Sequence, residues 1–238
     1  MIRYLTAGES HGKALTIIIE GMPSNLTIEK DYIDYHLWRR QQGYGRGGRM
    51  KIESDKVDIT AGIRFQKTLG SPISFTIHNK DWKNWTEKMD PEKVKPGDME
   101  KITVPRPGHA DLVGVSKYNF DDIRNSIERS SARETAARVA AGSVARRYLE
   151  EFDVKVGSFV ENIGGIFAEE NFADKLFDND IEDDFDAWEL SGKADKSTVR
   201  VLDNDHEEKI KEKIRTAKKR GDTLGGTFYV IASGLPLG

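Results

Sequence analysis

Two histidines sit in turns built to hold a proton donor close to a ligand. His11 lies in Gly8-Glu9-Ser10-His11-Gly12, and His109 in Pro105-Arg106-Pro107-Gly108-His109-Ala110-Asp111. Imidazole is the side chain whose ordinary pKa lets it give or take a proton near neutral pH. The glycines and prolines around each put it on a turn rather than inside a helix or strand. A neighbouring glycine, having no Cβ, lets the backbone approach a ligand closely. Either turn alone reads better as polar surface. Two of them in a chain with only five histidines point to a site.

Arginines supply the second chemistry. Arg39-Arg40-Gln41-Gln42-Gly43-Tyr44-Gly45-Arg46-Gly47-Gly48-Arg49 places four of them at a helix end and along a glycine loop. Such a loop wraps an anion with backbone N–H groups and guanidinium forks. A flexible RNA-binding segment is the competing reading, although the stretch is short and lies between ordered elements. It matches neither a P-loop nor a dinucleotide-binding fingerprint. Arg129-Ser130-Ser131-Ala132-Arg133-Glu134-Thr135 carries two arginines four apart, which share one face if the segment is helical. A salted surface involving Glu128 and Glu134 explains them, as does a buried pair that requires an anion such as phosphate or carboxylate. Gly221-Asp222-Thr223-Leu224-Gly225-Gly226 reads as a tight turn into a strand.

The composition narrows the class. The chain has 238 residues, 37% apolar and 32% charged, enough for one large domain or two small ones. There is no cysteine, which excludes disulfides and thiolate chemistry, and no metal is expected. The N-terminus lacks a signal-peptide stretch, and the longest aliphatic run, Ile17-Ile18-Ile19, is far too short for a bilayer. A soluble cytoplasmic protein with no membrane partner is expected. The net charge of −3 is unevenly spread. Residues 161–186 hold ten acids and one lysine, leaving +6 elsewhere, and thirteen of sixteen arginines precede residue 150. The arginine-rich body suits an anionic small molecule or nucleic acid. The acidic range 167–197 reads as a solvated excursion without an assigned role.

These residues need elements to position them. Ile2–Thr6 and Ala14–Glu20 read as strands flanking the first histidine turn. Thr27 caps a helix from about Ile28 to Arg40. Val57, Ile59 and Ala61, then Ile73, Phe75 and Ile77, alternate with polar residues as half-buried strands. The turn Gly70-Ser71-Pro72 between them predicts a hairpin. Residues 80–108 form a long excursion of the kind that serves as a lid or binding loop. The longest helical pattern runs from Phe120 to Glu151, its middle full of alanine, as suits a central helix packed on several sides. Val154–Val160 reads as a strand, Val199–Leu202 as a short strand, Asp205 to Lys219 as a polar helix and Thr227–Ala232 as a last strand. This order suggests an α+β layered sandwich rather than a doubly wound sheet.

Taken together and in order, the motifs resemble the chorismate synthase family along almost the whole chain. They are GESHG at 8–12, the arginine and glycine loop at 39–49, RPGHAD at 106–111, RSSARETAARVAAG at 129–142, GDTLGG at 221–226 and GLPLG at 234–238. The resemblance implies one domain over residues 1–238, with antiparallel sheets enclosing central helices, assembled as a homotetramer. It implies conversion of 5-enolpyruvylshikimate 3-phosphate to chorismate and phosphate, a 1,4-elimination without net redox change that requires reduced FMN, with NADPH as electron source. His11 then matches the histidine that protonates the departing phosphate, and His109 the one that protonates the reduced flavin. Ser10, Arg40, Arg46, Ser131, Ala132 and Arg133 fall at the substrate site, Arg40 and Arg46 also at the NADPH site, and Arg129, Ser130 and Ser131 at FMN. Family members continue past the position of Gly238 with further FMN contacts, a substrate arginine and an aspartate implicated in hydrogen removal. The expectation is therefore a chain shortened at its C-terminus. Three readings stay open: the enzyme with an incomplete site, a non-catalytic remnant, or an RNA-binding module. The last lacks the aromatic base-stacking pattern such modules use, and no nucleic-acid partner is expected.

Overall fold

A computed structural model describes residues 1–47, 52–92, 99–168, 172 and 185–236. The chain divides into two compact units, residues 1–40 with 48–145, and residues 41–47 with 146–238.

The first unit contains β1 (Arg3–Ala7), β2 (Ala14–Glu20), β3 (Ser24–Thr27), α1 (Lys30–Gln41), β4 (Asp58–Ala61), β5 (Ile63–Arg64), β6 (Lys67–Leu69), β7 (Ile73–His78), α2 (Asp111–Tyr118) and α3 (Arg124–Arg129). It also contains most of α4 (Thr135–Glu150). One antiparallel sheet has the order β1-β2-β7-β4. The alternation expected for half-buried strands fixes its register. Leu15, Ile17 and Ile19 lie opposite Ile77, Phe75 and Ile73, and all six are at most 2% exposed. A slip by one residue would turn that entire set to the other face. On α1 the buried residues are Ile33, His36 and Leu37, the i, i+3, i+4 stripe of a helix with one inward face.

Three expectations change in this unit. β4 and β7 do pair antiparallel, but Gly70-Ser71-Pro72 does not close a hairpin between them. The chain first enters a second small sheet, β3-β6-β5, and the turn at 70–72 returns it to the first. The long helix from Phe120 to Glu151 is broken. α3 stops at Arg129, Ser131 adopts an extended conformation (ψ 146°), and a 3-10 turn over Ala132–Glu134 leads into α4. Serine competes for backbone partners and favours such a cap: Ser131 Oγ accepts the N–H of Arg133 at 3.3 Å, and Ser130 Oγ donates to the Ser126 carbonyl at 2.6 Å. Arg129 and Arg133 therefore do not share a helical face. A helix not foreseen, α2, starts at Asp111 and ends where Asn119 takes the left-handed conformation (φ 54°).

The second unit has β8 (Lys155–Ile163), β9 (Ile166–Phe167), α5 (Ala187–Ala194), α6 (Glu207–Arg220) and β10 (Gly226–Ser233), with sheet order β10-β8-β9. Gly157 on β8 lies so close to α5 that a Cβ there would fall 1.8 Å from the Ala187 carbonyl oxygen. Phe159, Phe172, Ala187, Ala194, Leu202 and Ile231 form its core. Val199–Leu202 is not a strand. Arg200 takes a left-handed conformation (φ 62°) and its guanidinium donates to the Ser158 carbonyl at 2.7 Å, although Val199, Val201 and Leu202 are buried. Within the range 167–197, α5 is folded onto the core, while residues 169–171 and 173–184 lie outside the described residues. Among the described residues every strand pair is antiparallel, so the fold is α+β. Among the described residues no helix is long and apolar enough to cross a membrane.

Candidate functional site

The first unit holds the site, assembled where the β1–β2 turn meets α3 and the turn into α4. Gly8 opens that turn at φ 111°, where a Cβ would fall 2.4 Å from the Ala14 carbonyl oxygen. Glu128 on α3 then fastens the turn. Its carbonyl accepts the N–H of Ser10 at 2.9 Å, and its Oε2 accepts the N–H of His11 at 2.8 Å. Asn79, just past β7, adds two bonds from Nδ2, to the carbonyls of Gly12 (2.7 Å) and Glu9 (3.2 Å).

His11 is consequently held on several sides. Its Nδ1 lies 2.9 Å from both carboxylate oxygens of Glu128, whose side chain is 2% exposed. Its ring stacks on Trp85 with centroids 3.8 Å apart and planes 19° from parallel. Trp85 is itself anchored, its Nε1 donating to Asp81 Oδ2 at 3.1 Å. The Arg124 guanidinium lies 5.5 Å from the Trp85 ring, and its buried Nε has no hydrogen-bond partner among the described residues. A cavity of about 530 Å³ opens beside this group, lined by Glu9, Lys88, Phe120, Arg124, Glu128 and Arg129. It adjoins a second cavity of about 410 Å³, apolar on the sides made by Val113, Gly114, Tyr118 and Phe120 and bounded by Arg129 and Ser130.

The second histidine turn borders the apolar cavity through Ala110. Asp111 braces it. Arg106 donates to that carboxylate from Nε, Nη2 and its own backbone N–H, at 2.9, 3.0 and 2.9 Å. This fork holds the Asp111 carboxyl down to about 2, against an ordinary value of 3.8. His109 is exposed, with Nδ1 3.0 Å from the Pro107 carbonyl oxygen.

The arginines divide into two kinds. Arg133 is interior: Nε donates to Asn79 Oδ1 at 2.8 Å and Nη1 to Asp55 Oδ1 at 2.5 Å, while the buried Nη2 lies 3.9 Å from Glu53 Oε2. Arg40, at the end of α1, donates to the other oxygen of Asp55 (3.2 Å), to Thr135 Oγ1 (2.9 Å) and to the Ala132 carbonyl (3.0 Å). One buried carboxylate thus joins two guanidiniums and pins the segment that carries Ser131, Ala132 and Arg133. Arg129, in contrast, is exposed at the cavity edge, its Nη2 3.2 Å from the Thr6 carbonyl oxygen. Arg46 belongs to the second unit, where its Nε donates to the Gln42 carbonyl at 2.9 Å. Gly48 and Arg49 lie outside the described residues, as do Leu237 and Gly238 of the last motif.

Next to His11, then, the structure places Ser10 on the same turn and Glu128, the chain neighbour of Arg129; Arg40 and Arg133 meet at Asp55 and hold the segment that carries Ser131 and Ala132. It also reveals groups the motifs did not single out: Glu128, Trp85, Asp81, Asn79, Asp55 and Arg124. Only Glu128 had a legible signal, as an acid beside Arg129. Trp85 and Asp81 sit in a stretch read only as an excursion. Among the described residues no group of three or more His, Asp or Glu side chains is placed to hold a metal ion.

The chain is similar to known proteins over its whole length. The chorismate synthase family model matches residues 2–238. The chain is 52% identical over 238 residues to a chorismate synthase of Chlorobium phaeovibrioides, 49% over 239 residues to that of Streptococcus mutans and 51% over 239 residues to that of Enterococcus faecalis. Each alignment takes in the whole of this chain and 59% of the relative, so the chain spans about three fifths of the length of these curated relatives. A solved structure described as a crystal structure of chorismate synthase superposes with a TM-score of 0.76 at 40% identity, covering 99% of this chain and 58% of the other. A family model that matches residues 2–238, and about half the residues shared with these relatives over the whole of this chain, establish that the chain belongs to the chorismate synthase family.

Proposed function

We propose that this chain carries the acid-catalytic part of a chorismate synthase site and acts in converting 5-enolpyruvylshikimate 3-phosphate to chorismate and phosphate. The observation that carries this reading is His11, whose Nδ1 is taken by the buried carboxylate of Glu128, a residue that also lines a cavity edged by Arg124 and Arg129. Departure of a phosphate is assisted by a proton delivered to the leaving oxygen. An imidazolium at His11 supplies that proton, and the guanidiniums offset the growing charge.

The apolar cavity between α2 and α3 fits part of a flavin. Its flat aromatic and aliphatic sides accept an apolar ring face, and Arg129 and Ser130 offer donors at its edge. The chemistry expected of reduced FMN there is a transient supply of electron density as the C–O bond to phosphate breaks. His109, beside Ala110 on the wall of that cavity, holds a proton for that neighbourhood. Substrate contact is proposed for Ser10, Ser131, Ala132, Arg40 and Arg133, contact with NADPH as electron source for Arg40 and Arg46, and a homotetramer in the cytoplasm for the assembled protein.

The test is direct. FMN is titrated into the purified chain with and without substrate, following flavin absorbance and fluorescence, and phosphate release is then measured with photoreduced FMN. Substrate-enhanced binding with phosphate release is expected. A folded chain that neither binds FMN nor releases phosphate refutes the reading. Light scattering tests the tetramer.

A further inference from the structure

We propose that Glu128 is a positioning residue that fixes the neutral His11 ring in its Nδ1–H tautomer, making Nε2 the nitrogen that exchanges protons with the ligand. The role of that exchange in phosphate departure rests on the proposed function; the tautomer itself does not.

In water a neutral imidazole favours the proton on Nε2, and which nitrogen carries it in a protein is set by the partner of the other. A carboxylate only accepts, so a ring nitrogen 2.9 Å from both oxygens of Glu128 must donate. Glu128 is buried and spends its remaining capacity on the same turn, accepting the His11 N–H through Oε2 and the Ser10 N–H through its carbonyl. Its grip is therefore on the ring and on the backbone that carries it, and stacking on Trp85 removes the ring's freedom to flip. The other nitrogen is left for a ligand. Nε2 is 3.9 Å from Asp81 Oδ2, beyond hydrogen-bond reach, and has no hydrogen-bond partner among the described residues. In the transfer, the N–H bond at Nε2 of the imidazolium breaks, the proton passes to the leaving phosphate oxygen, and the ring is left neutral with Nδ1–H still donating to Glu128.

His109 repeats the pattern. The acceptor is a carbonyl, that of Pro107, 3.0 Å from Nδ1. Two histidines on unrelated turns, each with Nδ1 against a group that only accepts, support a common arrangement of their reactive nitrogens.

Histidine-labelled, ligand-free chain is read by long-range proton–nitrogen correlation spectroscopy above the pH of ring protonation. For His11 the expected pattern is a protonated Nδ1 and a bare Nε2. Glu128→Ala is the informative variant, since an amide at this position would still present an oxygen to Nδ1. With the acceptor gone, the neutral ring moves toward the Nε2–H form it favours in water while the backbone spectrum stays native, a change that a merely structural clamp would not produce. The wild-type tautomer decides the matter by itself if the variant does not fold. In turnover, Glu128→Ala lowers kcat about a hundredfold or more with KM unchanged. A wild-type His11 protonated on Nε2, or a folded Glu128→Ala that keeps the wild-type pattern, overturns the assignment. Absence of phosphate release from the wild-type chain with the expected tautomer overturns the proposed function and leaves the assignment standing.

Discussion

Replacing Asp55 by asparagine removes the charge that Arg40 and Arg133 share. The Asp55 side chain is fully buried, and the two arginine side chains are 8% and 4% exposed, so water does not screen the loss. Removing one partner of a buried ion pair costs about 3–5 kcal/mol, because the other charge stays behind in a poor solvent. Here two guanidiniums stay behind. Asparagine retains one acceptor for one of them but turns an N–H toward the other. Glu53, 3.9 Å from Arg133, keeps part of the counter-charge. These opposing effects place the cost near the lower end, about 3 kcal/mol. For a chain of this size that corresponds to a fall in Tm of about 6–12 °C. The assay is thermal and urea unfolding followed by tryptophan fluorescence, since Trp38, Trp82 and Trp85 all belong to the first unit. A loss below about 1 kcal/mol would refute the reasoning, because it would mean that the cluster is solvated and that Asp55 does not hold the segment at 131–135.

Further outcomes follow from the same geometry. Because Arg106 depresses the Asp111 carboxyl to about 2, its contribution is complete above pH 4 and is lost as the pH falls toward 2. The partly exposed arginine limits it to about 1–2 kcal/mol, so the stability difference between wild type and Asp111→Asn, from urea midpoints at pH 5 and pH 2.5, should shrink by that amount. Gly157→Ala drives a methyl group into the Ala187 carbonyl and should destabilise the second unit by about 1–3 kcal/mol, read from its urea midpoint; an unchanged midpoint would contradict the close approach of α5. Phe65 and Gln66 both adopt left-handed conformations (φ 50° and 62°) in the β5–β6 hairpin. Phe65→Asn with Gln66→Gly, the pairing such turns favour, should raise stability by about 1 kcal/mol, and a fall in Tm would show that the Arg64–Phe65 contact outweighs the strain.

Much of the fold was legible because period-two patterns report burial directly. The strand Ala14–Glu20 has the expected boundaries, and the alternations at 57–61 and 73–77 became paired strands of one sheet. What patterns do not report is where a chain leaves one sheet for another. The hairpin between β5 and β6 turns on two residues with left-handed backbone that are neither glycine nor asparagine, so no turn residue marks it. Val199–Leu202 misled for a related reason. Its apolar residues are buried as a strand's would be, but the backbone turns at Arg200, whose carbonyl keeps a single bond from the Val160 N–H of β8 while its guanidinium donates to the Ser158 carbonyl.

The site was legible as motifs and illegible as roles, and the break at Ser131 explains why. Read as one helix, residues 120–151 put Arg129 and Arg133 side by side, a pair awaiting an anion. Two serines in succession offer side-chain partners that end α3, and the chain then changes direction before α4. That change sends Arg129 to the cavity edge and Arg133 into the interior against Asp55. Identical residue types therefore do different work: one guanidinium has its charge matched inside the protein, and the other stands where a ligand would meet it. Arginine count predicts an anion site, but the carboxylates subtract from it. Asp55, Glu53 and Glu128, each alone in a different part of the sequence, are the residues that decide how much positive charge is left for a ligand and which nitrogen of His11 faces it. Long-range pairing of this kind, across 78 positions between Asp55 and Arg133 and 117 between His11 and Glu128, leaves no local pattern to read.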